Sequence, residues 1–468
     1  IIILIYFLVL QLSGRKLLSS AAALFAIGGY SIVYRKTLFY DDFNIYARVL
    51  YPFISSLILF IYLNFLVKSL NSEKLKHKIF AGIFFGLLFY IYFYGWSFAL
   101  ALNGCLWLIL LFKKDFFAAK KVLGITIIGL ALGAYNLIKL FLSLNSAAGK
   151  QTAYFMWAAY GRAPIFSKIG FIALIIFALY YFYKRRTDKN WPVILAVILS
   201  GWLALNQQII SGRIVQYGHY YFYFIVPLSI IISFYMVWQL LSNEKIKKYL
   251  FILLIALVFI NTAGGQYKSF FVSYASKKHE QSYRPIIDVL NSDKKPGVIL
   301  ADVTNEYLFT IYTPHDLFWQ QIATISQIPT QRLKDALFVY YYLNKEARND
   351  FKNYLTNIGQ DQKARGTYYK VLFRNLEGLR SGYDFYAYQK KVVAGDEELI
   401  RKRPVIIEEL SREYEENVLK NKGINKILRQ YGVNYIVWDK KNNPEWDLSG
   451  LESLKLLASN NNIYLCGF

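Results

Sequence analysis

Two cysteines in 468 residues exclude a disulfide scaffold. Cys105 lies inside an apolar run and Cys466 at the far end of a polar region, which argues against a bridge between them. Ten prolines and 28 glycines are too few for a collagenous or disordered chain. Charge is scarce as well, at 18% Asp, Glu, Lys and Arg, below the level of an ordinary soluble domain. What fills the chain instead is apolar (56%) and aromatic (18%), with a positive mean hydropathy. This is the composition of a membrane protein.

Acidic residues are rarest in the first part of the chain. Residues 1–264 hold about 25 of the 54 Lys and Arg but only about 6 of the 30 acids, so most of the formal charge of +24 belongs to the apolar half. Basicity placed there points to anionic headgroups and topology signals, and away from a nucleic-acid surface.

A bilayer core about 30 Å thick takes about 20 apolar residues per helix. Runs that meet or approach this length cover about ten segments: 1–12, 17–34, 49–67, 79–94, 96–112, 122–144, 169–183, 191–205, 219–240 and 249–263. The stretch from Ile79 to Phe112 is too long for one span, and a tight turn at Tyr94-Gly95-Trp96 is expected to divide it. With that turn, about 17 Lys and Arg fall in one set of alternate loops and about 7 in the other. The positive-inside rule makes the first set cytoplasmic and the C-terminal part extracytoplasmic, with the protein in the inner (cytoplasmic) membrane. The chain opens Ile-Ile-Ile-Leu-Ile, already apolar and without a basic start or a small-residue cleavage site. The first span is therefore expected to be partial, with further residues ahead of it.

Residues 265–468 change character to short mixed elements. Val298-Ile299-Leu300 predicts a buried strand, Arg332 to Leu343 an amphipathic helix, and Ile406 to Leu419 a charged helix. Further strands are expected at Asn434 to Trp438 and Asn462 to Cys466, and a loop-rich excursion at Asp361 to Arg403. The expected fold is thus a multispan α-helical membrane domain over 1–264 and an extracytoplasmic α/β domain over 265–468.

Asp41 and Asp42 are the only acids in any outward loop of the membrane part. A carboxylate there can take a proton from an attacking hydroxyl, or hold a divalent cation such as Mg or Mn beside a phosphate leaving group. The same oxygens could equally cap a helix beginning near Asn44. Arg48, two turns on, is placed either to grip a phosphate with its guanidinium fork or to reach for headgroups. A second polar constellation runs from Asn206 through Gln207, Gln208, Arg213 and Tyr217 to His219, an outward hairpin between two spans. Its amides and cations suit the hydroxyls and phosphate of a lipid-linked sugar, with a plain structural turn as the alternative. Lys139 and Asn136, near the outer end of their span, could join that site or simply serve the interface.

Other signals fail. Ala148-Gly149-Lys150-Gln151-Thr152 has Leu144 where a phosphate loop needs its first Gly, and Gln151 where it needs Ser or Thr. The four His show no metal-ligand spacing, no Gly-x-Ser-x-Gly elbow occurs, and the spans lack the acids of proton-coupled transport.

Many spans, an acidic outer loop at Asp41-Asp42-Phe43-Asn44, a polar outer hairpin and a C-terminal outer α/β domain together resemble the type C glycosyltransferase superfamily. Its members include oligosaccharyltransferases, protein mannosyltransferases and aminoarabinose transferases. The Asp41-Asp42 motif is similar to the second acidic motif of oligosaccharyltransferases. The Trp-Trp-Asp-Tyr-Gly signature of those enzymes is absent, Trp438-Asp439 being only a fragment of it, and the loop with the family's principal Asp would precede Ile1. The resemblance implies inverting transfer of a sugar from a polyprenyl-phosphate carrier, at the outer face of the inner membrane. Asp41 and Asp42 would be catalytic or metal-holding, and Arg48, Lys139, Gln207, Gln208, Arg213, Tyr217 and His219 would bind substrate. The competing expectation is a non-enzymatic membrane protein whose outer domain binds or organises cell-envelope polymers. A lipid flippase would need a polar path across the membrane, and only Lys139 and Asn136 hint at one.

Overall fold

The protein is seen in a computed structural model, which describes residues 1–40, 52–146, 159–160, 162–184, 187–293, 295–302, 304–320, 323, 328–358, 368–382, 388, 391, 395–420 and 423–468. Its packing divides the chain into two units, Ile1–Leu142 with Tyr160–Ser273, and Ser143–Ala159 with Tyr274–Phe468.

The first unit is helical: α1 (Ile2–Ser13), α2 (Lys16–Gly28), α3 (Tyr30–Tyr34), α4 (Phe53–Asn71), α5 (Leu75–Leu88), α6 (Phe93–Phe112), α7 (Phe116–Asn145), α8 (Lys168–Lys184), α9 (Trp191–Leu205), α10 (Gln208–Ser211), α11 (Gly218–Leu240) and α12 (Glu244–Gln281). Six helices among the described residues are long and apolar enough to cross a membrane, namely α4, α6, α7, α9 with α10, α11 and α12. Two shorter apolar helices, α1 and α2, precede them. This is a multi-pass helical membrane protein. The expected run at 169–183 falls within α8, at 17 residues, while that at 79–94 is only partly met by α5, which has 14 residues and ends at Leu88.

Local chemistry fixes several helix ends. Gly14 adopts φ 66° and returns its N–H to the Leu10 carbonyl, which stops α1. Asp115, Ser167 and Asn243 each accept backbone N–H groups at the starts of α7, α8 and α12. The break between α5 and α6 falls at Phe89 to Tyr92, ahead of the expected turn, so Gly95 lies inside α6. Tyr92 is extended (φ −157°, ψ 120°), and the rings of Phe89 and Trp96 stack across the bend at 4.9 Å. The aromatic rings, and not the glycine, make the turn.

Small residues set the closest helix contact. On α5, a Cβ at Gly82 or Gly86 would come within 2.6 Å of Ile128 or 2.7 Å of Leu132 on α7. On α7, Gly129 and Gly133 receive the rings of Phe85 and Phe89 in return. Two Gly-x-x-x-Gly faces thus interlock, as expected where lipid supplies no hydrophobic drive between helices. Helix α12, at 38 residues about 57 Å long, runs without a break through residue 264, where the composition changes.

The second unit carries a five-stranded sheet of β1 (Val298–Ala301), β2 (Asp316–Leu317), β3 (Val433–Asp439), β4 (Lys455–Asn460) and β5 (Ile463–Gly467), in the order β2-β1-β3-β5-β4. β1 runs parallel to β2 and β3, while β5 runs antiparallel to β3 and β4. The expected strands at 298, 434 and 462 are present, and β2 and β4 add to them. Helix α13 (Thr330–Leu343) starts two residues before its expected position and is no amphipathic surface helix, since Ala336 to Leu343 are all buried. Its three tyrosines have hydroxyls that let polar-looking positions enter a core; Tyr340, for one, donates to the Ala301 carbonyl at 3.0 Å. Residues 361–403 are less loop-like than expected, because helices occupy Tyr368–Arg380 and, from residue 397 on, Glu397–Tyr414.

Candidate functional site

The hairpin between α9 and α11 comes together with the start of α8, the end of α3 and the α5–α6 bend. Asn206 grips the backbone of Ile165 from both sides, accepting its N–H at 2.7 Å and donating to its carbonyl at 3.1 Å. Gln208 is buried and donates to the Ala163 carbonyl at 3.0 Å. Arg162 caps α10, with Nη1 donating to the carbonyls of Ile209 and Ile210 at 2.6 and 3.1 Å. Gln207 accepts from the Ser211 hydroxyl at 2.7 Å. Asn206, Gln208 and Arg162 thus satisfy backbone groups of the hairpin and of the segment ahead of α8. The structural alternative for the hairpin amides therefore has direct support.

His219 is differently placed. Its Nδ1 pairs with the Tyr92 hydroxyl, and its ring lies 4.6 Å from that of Tyr94 and 5.7 Å from that of Tyr223. The next residue, Tyr220, shares a hydrogen bond with Ser97 at 2.7 Å. α11 then widens into a π turn over Tyr221–Ile225. Pro227 has no N–H to return to Tyr223, and the backbone loosens just ahead of it. Such turns recur at functional sites because they re-aim neighbouring side chains.

Tyr34, the last residue of α3, packs against this same turn, 5.0 Å from Phe222 and 5.9 Å from Tyr221. From there the chain leads toward Asp41. Lys36 and Phe39 both take left-handed backbone (φ 57° and 54°), a conformation that non-glycine residues hold only when fixed from outside. The fixing group is Asn261 of α12. Its Oδ1 accepts the Phe39 N–H at 2.9 Å, while its Nδ2 donates to the Gly28 carbonyl at 2.8 Å and to Ser31 at 3.2 Å. The ring of Phe39 lies where a Cβ at Gly264 would be. Asp41, Asp42 and Arg48, and the side chain of Arg213, lie outside the described residues.

Asn136 donates to the Phe89 carbonyl at 3.2 Å, and Lys139 lies exposed over the Tyr135 ring at 4.6 Å. Tyr217 is half exposed. The crevice under the π turn, walled by Phe98, Trp202, Phe224 and Ile225, has free space of only about 10 Å³, enough for one water. Sequence reasoning did not single out Tyr92 or Asn261. The tyrosines at 90, 92 and 94 around a helix break were the available signal for the first; nothing local marks the second.

In the C-terminal unit, polar groups gather at the carboxyl ends of the parallel strands β1 and β3. Asp439, almost wholly buried, accepts from the Tyr283 hydroxyl at 2.6 Å, pairs with His279 Nε2 at 2.6 Å, and takes the Lys441 N–H at 2.9 Å. Asp302 follows β1 directly. Burial pushes its carboxyl up from the ordinary value, against the pull of Thr304, Asn443 and Asn442. Among the described residues no three His, Cys, Asp or Glu side chains are grouped to hold a metal ion.

No protein-family model matches this chain, and no curated protein matches it.

Proposed function

We propose that this protein is a membrane glycosyltransferase that moves a sugar from a polyprenyl-phosphate carrier to an acceptor hydroxyl. In this reading it crosses the inner membrane about ten times, and its C-terminal unit is extracytoplasmic. The single observation behind it is that Tyr34, seven residues before Asp41 in the sequence, packs on the π turn that follows His219. One carboxylate of Asp41 or Asp42 takes the acceptor proton as the acceptor oxygen bonds to the sugar's anomeric carbon. The bond from that carbon to the carrier phosphate breaks, and the phosphate leaves with the electron pair. Arg48, Arg213 and the His219–Tyr92 pair offset its negative charge, the largest contribution such a site can make. If Asp41 and Asp42 instead hold a divalent cation, it would supply the same charge compensation.

The test is transfer by the full-length protein in lipid nanodiscs, from a radiolabelled polyprenyl-phosphate sugar. Replacing both Asp41 and Asp42 by alanine is expected to lower transfer by roughly 100-fold or more while insertion and melting temperature stay unchanged. Transfer unaffected by the double change would end this assignment.

A second reading, a membrane scaffold whose outer unit binds envelope polymers, draws on the spent amides of the hairpin: Asn206, Gln208 and Arg162 are already committed to backbone carbonyls and N–H groups. It predicts polymer co-sedimentation by protein that transfers nothing.

A further inference from the structure

The C-terminal unit contains an open cavity of about 330 Å³, lined among the described residues by Asp316, Phe318, Trp319, Gln320, Ile328 and Arg332. It lies at and beyond the carboxyl end of β2, the side of a parallel sheet on which α/β layers place ligands. Its volume falls in the range of small-molecule sites.

Arg332 differs from three other partly buried arginines of this unit. Arg348, Arg380 and Arg403 are each paired with a carboxylate, from Asp447, from Glu409 and Glu413, and from Glu377 respectively. No carboxylate lies within ion-pair distance of Arg332 among the described residues, although the Tyr431 hydroxyl and, farther off, Asp335 both favour its charge. Asp335, on the next turn of α13, is occupied by the Tyr431 hydroxyl at 2.6 Å and the Gln331 amide at 2.7 Å. The guanidinium is nevertheless held firmly. Its carbon sits 3.8 Å from the ring centre of Tyr431 and 4.4 Å from that of Phe318, and Nη2 donates to the Phe318 carbonyl. Nη1 is buried and has no hydrogen-bond partner among the described residues. A fixed, half-buried cation with a spare donor is costly unless an anion compensates it. Arg332 also lies in the first turn of a 14-residue helix, where the free backbone N–H groups favour negative charge.

We propose that this cavity binds a small sugar carrying an oxyanion, a carboxylate or a phosphate, with Arg332 as its anchor. Gln320, whose Nε2 also donates to Thr310 at 3.0 Å, and Asp316 at the rim meet the sugar hydroxyls, one with its remaining amide N–H and the other accepting. Asp316 is exposed, so water screens its repulsion of the anion. The site lies in the unit that does not carry the transferase reading, and it stands or falls separately from it.

Titration calorimetry on the full-length protein in nanodiscs tests the site with glucuronate, glucose 1-phosphate, inorganic phosphate and neutral glucose. At least one of the three anions is expected to bind and glucose is not; which anion binds tells carboxylate from phosphate. Arg332→Gln is expected to weaken binding by roughly ten-fold or more, the loss of one charge-assisted contact. Gln320→Ala, at the rim and clear of the aromatic stack, is expected to weaken the sugar-bearing anions a few-fold and to leave inorganic phosphate unchanged. It carries the test if Arg332→Gln fails to fold. Absence of binding by all three anions, glucose binding as tightly as they do, or full affinity in a folded Arg332→Gln protein would each overturn the proposal.

Discussion

In the helical unit the buried polar side chains are amides and hydroxyls that reach mostly for backbone carbonyls. Asn64 donates to the carbonyls of Leu4 and Phe60, Asn190 to that of Leu12, Asn206 to that of Ile165, and Asn261 to that of Gly28. In the C-terminal unit carboxylates such as Glu377, Asp335 and Asp439 are buried beside the amides, and ion pairs form at buried and half-buried positions, as Glu377 does with Arg403 and Glu413 with Arg380 and Lys334. Among the described residues the one ion pair of the helical unit is Lys247 with Glu244, at the very start of α12. The cost of an ion explains the division. Lipid cannot solvate a charge left over when a pair parts, so a bundle in a membrane is tied by neutral groups. A unit in contact with water can keep ions, because its partly exposed pairs are never wholly stripped of solvent.

The contrast can be broken by removing one tie from each unit. Glu377 is fully buried and serves both Arg403 and the Tyr388 hydroxyl, so Glu377→Ala should cost about 3 kcal/mol, read as earlier unfolding and faster proteolysis of the C-terminal unit. A change under about 0.5 kcal/mol would mean that ions hold that unit no better than a surface pair does. Asn261→Ala removes three bonds inside the bundle and should cost less, about 2 kcal/mol, since contacts between membrane helices are individually weak. It should also release Phe39 and depress transfer. Normal transfer in a destabilised Asn261→Ala protein would separate the anchor from the site.

The smallest expected effects are pH shifts within the C-terminal unit, where two aspartates pull in opposite directions. Asp302 is raised by burial, so its contribution is complete below the ordinary carboxylate value and fades as pH rises through its folded value. Asp302→Asn should therefore match the parent at acid pH and become the more stable protein toward neutrality. Burial would raise Asp447 too, but Ser449 and Arg348 outweigh it and hold the carboxyl at about 2. Its contribution is full above the ordinary value of about 3.9 and is lost as pH falls through about 2. Melting curves between pH 2 and 7 for Asp302→Asn and Asp447→Asn should approach the parent at the acid end and part from it toward neutrality in opposite directions, Asp302→Asn the more stable and Asp447→Asn the less. Departure in the same direction would refute the assigned signs.

Local pattern carried the helices and the central strands, because a run of twenty apolar residues or of alternating β-branched ones means much the same in any surroundings. It misplaced the α5–α6 bend, where stacking of Phe89 on Trp96 outweighs the flexibility of Gly95. It read α13 as half exposed, because three tyrosines and Asp335 look polar until partners such as Ala301 and Tyr431 are brought to them. Among the site residues, His219 was legible as a lone imidazole in a polar hairpin, but its partner Tyr92 is 127 residues away. Asn206 and Gln208 look the same in sequence whether they face a ligand or a carbonyl.

The sequence by itself determined that the chain is a multi-pass helical membrane protein with a separate polar unit, since solvent preference is a sum over residues and needs no knowledge of partners. Only the tertiary structure decided which polar groups are spent and which are spare. Whether Arg332 finds a carboxylate, or Asn261 a backbone to hold, depends on atoms brought together from distant parts of the chain, and hydrogen bonds and ion pairs fade within a few ångströms.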